Sequence, residues 1–109
     1  MKRSKYHAIR TTVDGITFDS KREAKRYAEL KLLERAEAIR DLELQPVFPI
    51  NAVNPENGEV IQVGVYKADF RYREQSRVVV EDVKGMSTVV YRLKKRLVEA
   101  QYGIRIQEL

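Results

Sequence analysis

Three consecutive valines, Val78 to Val80, place the strongest restriction on how this chain can fold. Side chains alternate between the two faces of a strand, so a strand that begins with three apolar β-branched residues is buried on both faces. Each face of its sheet must then be covered by other elements. We therefore expect a layered α/β fold around a strand from Val78 to Lys84.

Capping signals predict the start of a first helix. Asp19 or Ser20 suits the N-cap, and Glu23 follows Ser20 at the capping-box spacing. The segment that follows is rich in good helix formers. We expect this helix to run from about Lys21 to Ile39.

A second helix is predicted from Ser87 or Thr88, either of which can cap it, to about Tyr102, with Gly103 as its stop. At helical spacing its apolar residues form one narrow stripe, which we expect to face the core. Its basic residues and one tyrosine project elsewhere, either as a solvated face or as a surface that contacts phosphates. The stripe comprises Val89, Val90, Leu93, Leu97 and Ala100, and the other set comprises Tyr91, Lys94, Lys95 and Arg96.

The remaining elements are short strands. An Asp-Gly pair at Asp14 predicts a small hairpin, and the sequence pattern predicts strands over 47–52, 60–72 and 78–84 and a last one near Ile104–Ile106. This order indicates an α/β fold, a small mixed β-sheet flanked by two helices. Residues 1–12 are expected to form a basic N-terminal arm, and residues 13–109 a single domain.

Composition narrows the chemistry. The 109 residues include no cysteine and one histidine, and they carry a net charge of +5. Disulfide frameworks, thiolate zinc sites and thiol nucleophiles are therefore excluded. With no long apolar run and no signal-peptide pattern, we expect a cytoplasmic protein without a membrane partner. The positive charge favours a polyanionic partner, nucleic acid first.

Two acids and a lysine come together if the strands on either side of a turn at 75–76 form an antiparallel hairpin. That turn places Asp69 opposite Asp82, and Lys84 on the same face two residues further on. A slip of one residue would instead pair Asp69 with Glu81 and point Lys84 away. We prefer the first register because it gathers the three polar groups.

Two adjacent carboxylates repel, so each needs a cation or a proton nearby. Mg²⁺ takes a few carboxylate oxygens and keeps several waters, and it activates water and phosphate for hydrolysis. The alternative is an ordinary salt bridge of Lys84 with Asp69 or Asp82. Glu23 heads a partly apolar row of the first helix and is a further candidate acid. Its alternative roles are the capping box and a favourable place in the helix dipole.

These motifs, in this order, resemble the PD-(D/E)XK nuclease superfamily. The match rests on Glu23 in an early helix, on Ala68-Asp69-Phe70, and on Asp82-Val83-Lys84-Gly85 after a valine-rich strand. The chain is more closely similar to small phage and prophage nucleases related to Holliday junction resolvases. The resemblance covers about residues 13–108 and implies a restriction-endonuclease-like αβββαβ core.

The resemblance implies a role for each matching residue. Asp69 and Asp82, with the Val83 carbonyl, would be ligands of Mg²⁺, for which Mn²⁺ can substitute. Lys84 would be the catalytic lysine, and Glu23 would complete the metal site or hold a water. Two departures from the family pattern are an alanine before Asp69 instead of proline, and an aspartate instead of glutamate as the second acid.

The expected function is therefore that of a Mg²⁺-dependent endodeoxyribonuclease, phage- or prophage-encoded, that hydrolyses DNA phosphodiester bonds in the host cytoplasm. A branched substrate, such as a Holliday junction in recombination, is a further expectation. Junction resolution needs two symmetric cuts, so a homodimer is expected with it. The alternatives are a nucleic-acid-binding module without catalysis and a scaffold protein. Residues expected to contact DNA are Lys5, Arg22, Arg26, Tyr91, Lys94 and Lys95.

Overall fold

The chain forms eight short strands and two helices within residues 9–83 and 87–109, the part that the computed structural model describes. In chain order these are β1 (Thr11–Val13), β2 (Ile16–Phe18), α1 (Lys21–Arg35), β3 (Arg40–Leu44), β4 (Val47–Val53), β5 (Val60–Lys67), β6 (Phe70–Glu74), β7 (Arg77–Asp82), α2 (Val89–Tyr102) and β8 (Ile106–Glu108). Neither helix of these residues is long and apolar enough to cross a membrane.

The central sheet has four strands in the order β3-β6-β7-β8. β7 pairs antiparallel with β6 and parallel with β8, so the sheet is mixed and the predicted α/β fold class is confirmed. Two hairpins, β1-β2 and β4-β5, stand beside it.

The valine-rich strand is buried on both faces, as predicted. Val79 belongs to a core cluster with Tyr27 and Leu30 of α1, whereas Val80 belongs to a second cluster with Val98 of α2. The two helices therefore cover opposite faces of β7. Val78, at the start of the strand, is exposed.

The predicted caps are confirmed. The Ser20 hydroxyl accepts a hydrogen bond from the Glu23 amide at 3.1 Å, and the Thr88 hydroxyl accepts one from the Tyr91 amide at 3.0 Å. Gly103 ends α2 with φ +66°, a left-handed conformation that glycine adopts without strain. Two boundaries differ from prediction: α1 ends at Arg35, and β1 begins inside the segment expected to be an arm.

The predicted strand over 60–72 is two strands, and this is a correction. At the junction the Ala68 amide donates to the Pro46 carbonyl (3.1 Å), and the Gln45 amide donates to the Asp69 carbonyl (2.9 Å). The chain changes partners here, so the side-chain alternation is interrupted. Tyr66 and Ala68 pack on the α2 side, whereas Phe70 and Tyr72 pack on the α1 side. A single strand over 60–72 would have placed these four residues on one face, and the break at Ala68 and Asp69 places them on two.

The orientation of α2 is also a correction. The apolar stripe expected in the core, which includes Leu93 and Leu97, is exposed, and Val98 is the buried residue of the helix. The C-terminal end of α2 is fixed to β4 by polar contacts: the Tyr102 hydroxyl donates to the Pro49 carbonyl at 2.6 Å, and a neighbouring glutamine side chain also bonds to β4. These contacts turn the stripe away from the sheet.

Candidate active site

The antiparallel pairing of β6 with β7 has the predicted register. Phe70 pairs with Glu81 and Glu74 pairs with Arg77, so the alternative one-residue slip is excluded. The regular pairing ends at Phe70. Asp69 lies one residue beyond it, and its amide still donates to the Glu81 carbonyl at 3.1 Å. Register therefore brings Asp69 to the end of β7.

Asp69 and Asp82 lie on the α2 side of the sheet. Asp82 follows Val80 at the spacing of two that returns a strand to the same face, and its side chain is fully buried. One oxygen of Asp69, Oδ2, accepts a hydrogen bond from the Val83 amide at 2.7 Å. This bond holds the Asp69 carboxylate against the residue that follows Asp82.

Tyr91 of α2 is close to both acids. Burial raises the pKa of its phenol above the ordinary value of 10.0, and the negative charges of Asp82, Glu108 and Asp69 raise it further. Its ring centroid lies 6.2 Å from that of Tyr66. Tyr91 is therefore neutral at physiological pH and well above it. The carboxylates of Asp82, Glu108 and Asp69 lie close enough to interact electrostatically with its hydroxyl.

Glu108 is the acid that sequence reasoning missed. It pairs with Asp82 across the parallel strands β7 and β8, and its Oε1 accepts from Lys95 Nζ at 2.6 Å. A signal for it exists: Val80 and Ile106 are both buried, and each is followed two residues later by an acid. The signal becomes informative only once β8 is known to lie beside β7.

A second acidic group lies on the α1 side of the sheet. Glu81 is almost fully buried, and its two carboxylate oxygens accept from Arg26 Nε at 2.8 Å and Nη2 at 2.6 Å. The Tyr72 hydroxyl donates to the same carboxylate. Arg26, expected to contact DNA, is the residue whose guanidinium binds this buried acid.

Glu23 is buried in the first turn of α1. Its neighbour Arg22 donates from Nη2 to the Leu109 carbonyl at 2.7 Å, and the Leu109 amide donates to the Asp82 carbonyl at 2.9 Å. These contacts place the start of α1 at the carboxyl end of β7. Glu23 therefore lies near the carboxyl end of β7. Its helix, α1, covers the face of the sheet opposite to the one on which Asp82 lies.

The described residues contain no group of three or more histidine, cysteine, aspartate or glutamate side chains close enough to hold a metal ion. Glu23, Asp69 and Asp82 therefore do not form a trio of ligands there. What the structure brings together on one side of β7 is the pair Asp69 and Asp82, with Glu108 and Tyr91 beside them.

The residues expected to contact DNA are distributed differently from prediction. Tyr91 and Lys95 lie on the sheet side of α2, where Tyr91 packs beside Tyr66 and Lys95 pairs with Glu108. Arg22 is exposed and Lys94 is half-buried. Lys5 and Lys84 lie outside the described residues.

The raised pKa values of buried Tyr72 and half-buried Tyr91 predict how stability responds to alkaline pH. Burial raises the pKa of Tyr72 and of Tyr91 above 10.0, so the folded state holds both protons more tightly than the unfolded chain does. Their contribution is complete below pH 10 and is lost as pH rises above it. We expect the free energy of unfolding, measured in urea, to fall by at most about 1.4 kcal/mol per pH unit for each tyrosine, and by less for the half-buried Tyr91. Tyr91→Phe should remove one such contribution; an unchanged slope would contradict the assignment.

A mixed sheet covered by one helix on each face, with acids at the end of its valine-rich strand, defines a small α/β protein with an acidic site. A family model described as "Protein of unknown function (DUF1064)" matches residues 3–107, nearly the whole chain, and the protein belongs to this family. No curated protein and no solved structure matches the chain.

Proposed function

We propose that this protein is a Mg²⁺-dependent endodeoxyribonuclease that cleaves duplex or branched DNA in the cytoplasm of a phage-infected or lysogenic host. The observation that carries the proposal is the placement of Asp69 and Asp82 on one side of the sheet at the end of β7. The hydrogen bond from the Val83 amide to Asp69 Oδ2 fixes that placement. The family resemblance supports the same two residues as metal ligands.

The donor set suits Mg²⁺. This ion prefers oxygen ligands, usually takes one or two carboxylates and keeps several waters, so a pair of aspartates is sufficient. Asp82 is fully buried with Asp69 and Glu108 nearby, and a divalent cation would offset this concentration of negative charge. Asp69 and Asp82, with the Val83 carbonyl, would hold the ion. When bound, Mg²⁺ supplies Lewis-acid activation of the scissile phosphate.

The chain's own residues supply the rest of the chemistry. Lys84, which follows Val83 in the sequence, stabilises the negative charge that develops on the phosphate. Tyr91 keeps its proton at physiological pH and well above it, since its pKa is raised above 10.0, so it can donate a hydrogen bond beside the acids. Water adds to phosphorus and releases a proton to solvent while the bond to the 3′ oxygen breaks, and that oxygen takes up a proton from solvent. The products that the resemblance implies are a 5′-phosphate and a 3′-hydroxyl.

Exposed cations near the site support a DNA substrate. Lys21, Arg22 and Lys25 are exposed in the first two turns of α1, the helix whose start lies at the end of β7. Lysine and arginine at such positions neutralise backbone phosphates and hold the duplex in place. The net charge of +5 favours the same partner.

The test is cleavage of labelled four-way junction, linear duplex and single-stranded DNA in the presence of Mg²⁺. We expect the wild-type protein to cut at least one of the first two substrates. Lys84→Ala should still bind the same DNA and should no longer cut it, because the lysine acts in the transition state and not in binding.

A nucleic-acid-binding module without catalysis is the second candidate. The exposed cations of α1, Lys21, Arg22 and Lys25, favour it, because they can bind backbone phosphates without a metal ion. Binding by the wild-type protein without cleavage under any divalent metal would establish this alternative. Equal cutting by the wild type and by the double variant Asp69→Ala, Asp82→Ala would show that a contaminant cuts the DNA.

A further inference from the structure

The β4-β5 hairpin is covered on one face only. Phe48, Ile50 and Tyr66 are buried in the core cluster on the α2 side. Residues that alternate with them, such as Val47 and Val65, point to the opposite face and are exposed. No other element of the described residues covers that face.

The exposed surface of the hairpin is apolar and almost free of charge. β4 contains no charged residue, and β5 contributes only Lys67, at its end. The exposed aliphatic residues are each between 38% and 62% accessible. Together they present roughly 400 Å² of apolar surface, as large as the largest apolar patch of a typical monomer. They are Val47, Val53, Val60, Val63 and Val65.

We propose that a second copy of this chain packs on the exposed face of the β4-β5 hairpin. In a two-fold dimer the patch would meet its own counterpart, which suits a surface without charge. Two such patches would bury about 800 Å² of apolar area, and interfaces are roughly 56–65% apolar, so the whole interface would be about 1,200–1,400 Å². That lies within the range of about 1,200–2,000 Å² for stable protein interfaces, at its lower end.

The distribution of charge favours the hairpin face as the dimer interface over the other exposed apolar surface, the stripe of α2. Leu93 and Leu97 lie in that stripe, and Lys94 and Arg96 lie beside them in the same helix. Two copies packed through α2 would bring these cations together and repel. A nucleic acid is excluded as the occupant of the hairpin face, since this face offers it almost no cations.

The dimer deepens the proposed function, because paired cuts in branched DNA need two sites. Its test is independent of catalysis, since the mass in solution is measured without DNA or metal. At a chain concentration of roughly 100 µM, light scattering of the eluting protein should give twice the single-chain mass of 12.7 kDa. A protein that dimerises and does not cleave DNA would support the dimer and contradict the nuclease. A monomeric protein that cleaves DNA would do the opposite.

Two matched variants test the surface. Val63→Glu places a charge in the hairpin patch and should halve the mass, because burying an unpaired carboxylate opposes association. Leu93→Glu places the same charge in the α2 stripe and should leave the dimer intact. Circular dichroism and thermal unfolding of both variants check the fold. A monomeric wild type, or a dimer that only Leu93→Glu dissociates, would overturn the proposal.

Discussion

Replacement of Asp82 by asparagine is expected to slow Mg²⁺-dependent DNA cleavage by about two to three orders of magnitude. Asp82 is one of the two acids proposed to hold the ion, and activation by a bound metal lowers the barrier by several kcal/mol. Asparagine has nearly the same shape, so the side chain should still fit its fully buried position. Single-turnover cleavage of a labelled duplex measures the effect.

A matched control is Asp41→Asn, the same chemical change at an exposed site. Asp41 lies in β3 and forms a surface ion pair with Arg73 at 3.6 Å. Arg73 is near the end of β6, whereas Asp69 directly precedes the start of that strand. Its cleavage rate should equal that of the wild type. Titration with Mn²⁺ by calorimetry should show weaker binding for Asp82→Asn only. Equal Mn²⁺ affinity in all three proteins would remove Asp82 from the ligand set.

Replacement of Arg26 by alanine is expected to lower the free energy of unfolding by roughly 3–5 kcal/mol. The guanidinium binds both oxygens of Glu81, which is almost fully buried between α1 and the sheet. Without Arg26 the Glu81 carboxylate would lose both of its charged hydrogen bonds and keep the one from the Tyr72 hydroxyl. A buried charge without an opposite charge beside it destabilises the folded state. Urea unfolding monitored by circular dichroism measures the loss.

The double variant Arg26→Met, Glu81→Leu separates the two causes of that loss. It removes both charges together and should recover most of the stability, because no buried charge then lacks its partner. Arg77→Ala is the control: Arg77 pairs with Glu74 at the surface, and such pairs contribute at most about 1 kcal/mol. A loss in Arg26→Ala no larger than in Arg77→Ala would refute the role given to Glu81.

Local signals predicted the parts of the fold that local chemistry determines. The Asp14-Gly15 turn has two positive φ angles, as its sequence requires, and Ser20 and Thr88 cap their helices. The β6-β7 register followed from the position of a two-residue turn, and it brought Asp69 to the end of β7. This part of the site was therefore accessible from sequence.

Features that depend on distant parts of the chain were not predicted. β3 was missed because its charged residues hide the alternation of an edge strand, and Asp41 has a φ of +57° at an irregularity in the pairing. The apolar stripe of α2 has the periodicity of a face that packs on the core, yet it is exposed in the single chain. Glu108 required knowing that β8 lies parallel to β7. Periodicity identifies an apolar face and does not say what covers it.

The change of strand partners at Ala68 and Asp69 limits where this chain can vary in length. The turn that joins β4 to β5 lies in solvent, and a side chain added at Gly58 would meet no atom within 4 Å. Insertions there should be tolerated. A residue inserted between Ala68 and Phe70 would instead shift the side-chain alternation, so that the residues of one core cluster would point to the wrong face of the sheet. It would also carry the Asp69 carboxylate away from the Val83 amide. Relatives that keep the acidic site should therefore differ in that turn and keep a fixed length at this junction.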